Sequence, residues 1–131
     1  MPFAYDLVSP ERMLASGEAD SVQIPGAEGD LTAMPNHAPF LTTLRPGVIT
    51  VRSSGAEEAY VVTGGFAEIS AENASILAEE AVTTSEANGD WFAAKIAEAE
   101  AALESAAGEE AKTIAAQRIN DFRFLQGNLG A

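Results

Sequence analysis

The sequence contains no cysteine and a single histidine among its 131 residues. Without cysteine the chain has no disulfide, no thiolate nucleophile and no sulfur-ligated metal. Basic residues are also scarce, because 7 of them stand against 20 acidic ones and leave a formal net charge of −13. Such a charge repels phosphate backbones and anionic lipids, so it argues against a nucleic acid or a membrane surface as a direct partner.

Long apolar runs are missing as well. No stretch approaches the 18 residues that a membrane-spanning helix needs, so we expect no insertion into a bilayer. The first six residues carry no basic group and no apolar core, so they do not predict a secretion signal. No Gly-x-x-x-x-Gly-Lys-Ser/Thr loop occurs, which excludes P-loop nucleotide chemistry. The expectation is a protein of the cytoplasm without a bound cofactor.

Residues 1–88 show the rhythm of a β-sandwich domain. Short runs of β-branched and aromatic residues alternate with turn residues at intervals of about ten. The brief links favour an antiparallel sandwich, since a parallel sheet would need crossover helices. The predicted strands cover Phe3–Val8, Ser21–Ile24, Phe40–Leu44, Val48–Arg52, Ala59–Thr63, Phe66–Ser70 and Ala74–Leu77.

Residues 89–131 predict two antiparallel α-helices that form a C-terminal hairpin. Asp90 is the expected N-cap, and Gly108 and Gly127 are the expected ends of the two helices. Apolar residues recur at helical spacing, and the two predicted stripes are Phe92, Ile96, Ala99 and Leu103, then Ile114 or Ala115, Ile119, Phe122 and Leu125. The first helix is mostly alanine and has little apolar area to bury. Two interpretations stay open, a fixed cap on the sandwich and a hairpin that can leave its docking site.

No constellation of residues predicts a catalytic or metal site. His37 would need a serine and Asp30 beside it to form a triad, and a single histidine is weak support for one. Glu28 and Asp30 could be half of a cation site, but no further ligand follows at a suitable spacing. The segment Glu28–Pro39 holds two prolines and is therefore expected to be a stiff, shaped loop that carries recognition residues.

A series of motifs then becomes recognisable in order along the chain. It consists of Val8-Ser9-Pro10-Glu11, Ser16-Gly17-Glu18-Ala19, Pro25 to Leu31, Pro35-Asn36-His37-Ala38-Pro39, Leu44-Arg45-Pro46-Gly47 and Gly64-Gly65-Phe66. In this order and spacing the chain resembles the epsilon subunit of bacterial F-type ATP synthase, the counterpart of the mitochondrial delta subunit. The resemblance covers the whole chain, since an alanine-rich helical hairpin also follows the sandwich in that family.

The resemblance implies a non-catalytic subunit of the central stalk, which links gamma to the c-ring and couples proton-driven rotation to ATP synthesis. By position in the shared motifs, Asp30 would face the c-ring loops, while His37 and Thr42 would lie toward gamma. In the hairpin, Arg118 and Arg123 are the residues available for contact with the catalytic head of alpha and beta subunits. The implied location is the cytoplasmic face of the bacterial inner membrane, as a peripheral part of the complex.

Three departures from the family pattern qualify these implications. Thr32 and Asn36 stand where the family usually has glycine, and Asn36 is the milder change because asparagine tolerates a positive φ. Ala93 replaces the arginine found in members that bind ATP on the hairpin, so we predict no ATP site. From Asp90 onward seven acidic residues face four basic ones, a net charge of −3, so we predict weak or absent inhibition of ATP hydrolysis.

Two other functions are weighed against the stalk subunit. A free-standing ligand-binding β-sandwich is the first alternative, and it predicts a monomer with a concave site. A small hydrolase is the second, and it depends on His37.

Overall fold

The runs of β-branched residues in the first part of the chain form strands, and the alanine-rich part forms helices. The computed structural model describes residues 3–36 and 38–130, and within them lie ten strands and two helices. Their bounds are β1 Phe3–Val8, β2 Met13–Ala19, β3 Ser21–Gly26, β4 Gly29–Ala33, β5 Phe40–Leu44, β6 Gly47–Ser53, β7 Ala56–Val62, β8 Gly65–Ile69, β9 Asn73–Ala78, β10 Ala81–Thr83, α1 Gly89–Ser105 and α2 Glu109–Leu129. The chain divides into two compact units, residues 1–83 and 84–131.

The predicted fold class is confirmed, a β-sandwich followed by two helices. Each strand expected from periodicity is present, with its ends shifted by a few residues. Three strands, β2, β4 and β10, were not predicted. The first two contain glycine and polar residues that hide the alternation, and β10 has only three residues. The segment expected to be a stiff loop therefore begins as a strand, β4.

The strands follow the order β10-β7-β6-β3-β5-β8-β9-β1-β2, with β4 added on the free side of β3. The strand β3 joins the two halves of the sandwich, because Ser21–Gln23 pair with β6 whereas Gly26 pairs with Leu44 of β5. Among the described pairings only β1 with β9 is parallel. The first strand thus lies beside the ninth, and this pairing closes one half of the sandwich.

Alternation along each strand places one set of apolar side chains between the two halves of the sandwich. In β6, for example, Ile49 and Val51 are buried while Val48 and Thr50 are half-buried on the other face. The core is formed by residues from most of the strands and includes Phe3, Leu7, Val22, Ile24, Ile49, Val62, Ile69 and Ile76, all of them almost fully buried. This packing fixes which side chains of each strand point outward, where partners can reach them.

The helix termini differ from those that the sequence predicted. The N-cap of α1 is Asn88, whose side-chain Oδ1 accepts a hydrogen bond of 3.0 Å from the backbone N–H of Trp91, so the expected cap at Asp90 was wrong. Asp90 lies in the first turn instead. Gly108 precedes α2 rather than ending α1, and α2 continues past Gly127 to a left-handed cap at Gly130.

Aromatic side chains hold the open end of the helical hairpin together. Phe92 of α1 and Phe122 of α2 are fully buried, and Trp91 packs edge-on against both, at ring-centroid distances of 5.0 and 6.3 Å. The open choice in the second stripe is settled in favour of Ala115, which is buried, whereas Ile114 is exposed. The hairpin therefore depends less on its alanines than the composition of α1 indicated.

Candidate functional site

The β3–β4 hairpin presents Asp30 on the surface of the sandwich. Its carboxylate Oδ1 accepts a hydrogen bond of 2.7 Å from Arg45 Nη2, in an ion pair whose two side chains are 53% and 40% exposed. Arg45 follows β5, and its backbone N–H donates to the carbonyl of Pro25 at 3.1 Å. The acidic residue singled out by the sequence is therefore accessible, and a cation from the neighbouring turn already contacts it.

A groove of about 350 Å³ lies beside this ion pair. Its described lining residues are Glu28, Gly29, Asp30, Leu31, Phe40 and Thr42, and we call it the Asp30 groove. A side chain at Gly26 would meet Leu31 Cδ2 at 3.3 Å and Thr42 Oγ1 at 3.6 Å, so a glycine keeps the two walls close together. The groove combines two carboxylates with apolar walls, which suits binding rather than acid–base chemistry.

Thr42 and Asp30 occupy the same groove, although the resemblance assigned them to different partners. The Thr42 hydroxyl donates to the carbonyl of Thr43 at 3.0 Å and its side chain is half-buried. Because both residues line one cavity, they lie close enough for a single partner segment to touch them. His37, which the resemblance assigned to gamma together with Thr42, lies outside the described residues. Its neighbour Asn36 has φ +67°, in agreement with the left-handed tolerance expected of asparagine there.

A row of exposed apolar side chains crosses the outer face of β8, β9, β1 and β2. Phe66 pairs with Leu77, Leu77 with Val8 and Val8 with Met13, so these residues form neighbouring positions on one face. Phe66, Leu77 and Met13 are 55%, 58% and 65% exposed. Leu41 of β5 is also exposed on this half of the sandwich. We call Val8, Met13, Phe66 and Leu77 the outer apolar row.

The outer apolar row was not found from the sequence, although a signal for it existed. In β8 the alternation places Ala67 and Ile69 in the core, so Phe66 lies on the outer face, where polar residues are expected. The same holds for Leu77 between the buried Ile76 and Ala78 of β9. Large apolar side chains that lie next to each other on the outer face of a sheet form a patch whose exposure to water is unfavourable. Contiguous patches of this type mark interaction sites.

The two arginines predicted in the hairpin lie on α2 but take part in intrahelical and interhelical contacts. The Arg118 guanidinium lies over the Phe122 ring, 5.3 Å from its centroid. Arg123 Nη2 approaches Glu100 Oε2 of α1 at 4.0 Å, and both of these side chains are largely exposed. They form a separate candidate contact on the hairpin.

Residues 3–36 and 38–130 contain no group of three histidine, aspartate or glutamate side chains placed to hold a metal ion. Tyr5 and Tyr60, whose pKa values are raised by burial, do not line the groove. What the geometry offers is a pair of candidate binding surfaces on the sandwich.

Comparison with known proteins agrees with that interpretation. Residues 2–84 match the model of the ATP synthase delta/epsilon chain β-sandwich domain. The ATP synthase epsilon chain of Cereibacter sphaeroides is 49% identical over 126 residues, which cover 96% of this chain and 95% of that relative. The chain belongs to the ATP synthase delta/epsilon chain family. The epsilon chain of Jannaschia sp. is 51% identical over 113 residues, with 86% of this chain and 85% of the relative covered.

Solved structures repeat the fold of this delta/epsilon chain family member. A chain of the Euglena gracilis mitochondrial ATP synthase superposes with a TM-score of 0.75 at 24% identity, covering 98% of this chain and 81% of the other. A chain of the Tetrahymena thermophila mitochondrial ATP synthase central stalk and c-ring gives 0.68 at 17% identity, with 93% and 94% covered. At these identities the likeness concerns the fold alone.

Family membership decides between the three functions weighed from the sequence. A member of the ATP synthase delta/epsilon chain family is a non-catalytic subunit of the complex. A free-standing ligand-binding module and a small hydrolase are therefore not favoured.

Proposed function

We propose that the chain joins the gamma subunit to the c-ring in the central stalk of the proton-translocating ATP synthase. In this role the sandwich is a rigid connector, and proton-driven rotation of the ring passes through it to the catalytic head. The observation that carries the proposal is the outer apolar row, a contiguous binding surface on a domain without an apparent catalytic group among its described residues. The names of the relatives support the complex to which we assign it.

The outer apolar row is the surface that we assign to gamma. Burying a side chain the size of leucine or phenylalanine stabilises a complex by roughly 1.5–3 kcal/mol, whereas an exposed ion pair contributes about 0–1 kcal/mol. Phe66, Leu77 and Met13 each expose more than half of their surface, so most of that free energy is still available for association. Apolar burial, rather than charge, is therefore expected to supply the affinity for gamma.

The Asp30 groove is the surface that we assign to the c-ring loops. Asp30 is exposed at the tip of the β3–β4 hairpin, and Glu28 lines the same groove. Carboxylates suit polar loops that carry basic residues, and such pairs fix orientation more than they add affinity. Thr42 lines this groove, so we now place it at the c-ring surface, or at its border with the gamma surface, rather than with gamma alone. His37 remains an expected gamma contact.

In this proposal the C-terminal hairpin inhibits ATP hydrolysis only weakly. Arg118 and Arg123 are the candidates for contact with the catalytic head, but the hairpin carries more acidic than basic groups. An acidic target on the head would repel most of its surface. In this proposal the chain lies at the cytoplasmic face of the inner membrane, as a peripheral subunit of the complex. Within residues 3–36 and 38–130, neither helix has the length and apolar character that crossing a bilayer requires.

The gamma assignment is tested by making the outer apolar row polar. We expect the double variant Phe66→Ser, Leu77→Ser to co-purify with gamma at a level reduced at least about tenfold, because two large apolar contacts are lost. In inverted membrane vesicles, the complex that contains this variant should then pump fewer protons for each ATP that it hydrolyses. Glu68→Ser, on the same face of β8, is the matched control and should behave like the parent chain. Normal co-purification of the double variant would remove gamma from this surface.

A further inference from the structure

Sulfur chemistry in this chain is confined to methionine. The sequence holds three methionines and no cysteine, so thioethers are its only sulfur groups. Two of them lie in the described residues, Met13 at 65% and Met34 at 52% exposed. Peroxides oxidise accessible methionine to the sulfoxide, which turns a flexible apolar side chain into a polar one. The consequence therefore depends on which surface each methionine belongs to.

An irregularity in the pairing of β1 with β2 places Met13 on the outer face of the sandwich. Leu7 of β1 pairs with Ala15 of β2. The next residue of β1, Val8, pairs with Met13, so the register skips Leu14. Leu14 packs against the core instead, and a bulge commonly redirects a side chain in this way. Met13 thereby becomes the last member of the outer apolar row, beside Val8.

Oxidation at Met13 would make one end of the outer apolar row polar. In the free chain the sulfoxide oxygen accepts hydrogen bonds from water. A partner whose apolar surface covers the row removes that water without offering a donor, so burial of the oxygen is unfavourable. Met34 follows β4 and is not part of the row, so the same modification there leaves the row apolar. The two exposed methionines therefore have different expected consequences.

We propose that Met13 is an oxidation site whose modification blocks the docking of the chain on gamma. A peroxide transfers one oxygen atom to Sδ of Met13. The O–O bond breaks, the S–O bond of the sulfoxide forms, sulfur loses two electrons, and the peroxide is reduced to water or an alcohol. Docking buries Met13 and excludes the oxidant, so a free subunit is sensitive whereas an assembled one is protected. The identity of the partner rests on the proposed stalk function, whereas the exposure and the chemistry of Met13 do not.

The modification is tested first on the free full-length chain with hydrogen peroxide as the oxidant. Peptide mass spectrometry should show Met13 and Met34 oxidised at rates within about threefold of each other, since both are more than half exposed. In the Met34→Leu variant, oxidation should shift the urea midpoint by less than about 0.3 M, because a change confined to the surface leaves the core intact. Resistance of Met13 while Met34 reacts, or a large loss of stability, would overturn the proposal.

The effect on docking is measured as co-purification with gamma, and each chain is compared with its own untreated form. Peroxide should lower the co-purification of the parent chain and of Met34→Leu at least about fivefold, because one apolar contact of the row becomes polar. Met13→Leu should lose less than about twofold, and the two methionine sulfoxide reductases should restore docking of the oxidised parent. Full retention in the oxidised parent, an equal loss in Met13→Leu, or a loss that the reductases do not reverse would each contradict the inference.

Protection of Met13 is measured in the purified complex. Met13 should oxidise at least about tenfold more slowly there than in the free chain, since docking excludes the oxidant from the buried thioether. Equal rates in the two states would overturn the inference. The double variant Phe66→Ser, Leu77→Ser distinguishes the two possible failures. If it loses gamma while the oxidised parent retains it, only the oxidation site is wrong, and if it also retains gamma, the proposed gamma surface is wrong as well.

Discussion

At the scale of single residues, Gly65 is the position where two strands leave no room for a side chain. Its φ is +132°, a conformation that other residues rarely adopt. A Cβ built there would lie 2.1 Å from the carbonyl oxygen of Leu77 and 2.9 Å from Cα of Ala78. Both of these are backbone atoms of β9, so neither can move aside as a side chain would. The start of β8 therefore depends on glycine.

We expect Gly65→Ala to lower the free energy of unfolding by about 3 kcal/mol, because it combines a strained φ with a backbone collision. Urea unfolding of the two proteins would measure the difference. Gly55→Ala is the matched control, since Gly55 also has a positive φ, +83°, but has open space around its Cβ position. It should cost only about 1–2 kcal/mol. Equal losses of unfolding free energy in the two variants would mean that the positive φ, and not the collision with β9, causes the destabilisation.

Tyr60 is a second residue whose environment has a measurable consequence. Burial raises its pKa to about 12, helped by the hydrogen bond of 2.9 Å that its hydroxyl donates to Glu58 Oε2 and by the charge of that carboxylate. Burial also raises the pKa of Tyr5, with a smaller contribution from Glu58. Both tyrosines pack against the sandwich core in their neutral form.

The pKa of Tyr60 predicts how stability responds to alkali. Since the folded value exceeds the value of about 10 in an unfolded chain, its contribution is complete below pH 10 and is lost as the pH rises toward 12. We expect the free energy of unfolding to fall across this window and to fall less in Tyr60→Phe, which has no proton to lose. Urea unfolding at several pH values would measure it. If the free energy of unfolding fell equally steeply with pH in both proteins, Tyr60 would be excluded as the cause.

At the scale of the elements, the hairpin is held at defined points rather than along its length. The buried pair Phe92 and Phe122, with Trp91 against both, joins the start of α1 to the later part of α2. Asn88 closes the first turn of α1 through its side-chain oxygen. The alanines between these points give helix propensity but bury little apolar surface.

The cap at Asn88 is tested by removing its acceptor. Asn88→Ala should destabilise the start of α1 by about 1 kcal/mol, because the N–H of Trp91 then loses its partner. Amide hydrogen exchange in the first turn would report this as faster exchange of residues 91–92. Asn88→Asp keeps an acceptor oxygen and should remain close to the parent chain. Equally fast exchange in both variants would show that the acceptor is not what protects the turn.

The elements were predictable where the pattern is local. Strict alternation located β1, β3 and β6, and helical spacing located both helices. The N-cap of α1 could not be predicted reliably, because asparagine and aspartate both favour this position. Only the path of the chain selects Asn88 over Asp90. The outer apolar row depends on pairings such as Phe66 with Leu77 and Val8 with Met13. Those pairings join distant parts of the sequence, so periodicity within one strand cannot supply them.

The Asp30 groove was predictable only in part. Asp30 and Thr42 are expected from the resemblance to contact partners, but no pattern in the sequence indicates that they line one cavity. In the sequence Arg45 stands out only as part of the motif before Pro46, since an ion pair between residues fifteen positions apart has no local signature. The groove forms because Leu31 of β4 and Thr42 of β5 both lie close to Gly26 of β3. This proximity results from the packing of the whole sandwich.

At the scale of the whole molecule, charge sets the expected strength of regulation. The chain carries a net charge of −13, and its hairpin is acidic as well. We expect deletion of residues 89–131 to change the ATPase activity of the reconstituted catalytic head by less than about twofold, because an acidic hairpin binds an acidic target poorly. In the full chain, Arg118→Gln with Arg123→Gln should likewise have little effect. A many-fold activation in either case would contradict this electrostatic argument.

The parallel pairing of β1 with β9 also governs the order in which the chain can fold during its synthesis. β1 leaves the ribosome first, yet the strand beside it is completed only when Ala78 has been added. Until then β1 and β2 form a two-stranded ribbon with an open edge, which is marginally stable by itself. Closing a loop of this length costs entropy before any contact repays it. Nascent chains that stall before Asn73 are therefore the species most exposed to aggregation and to proteolysis.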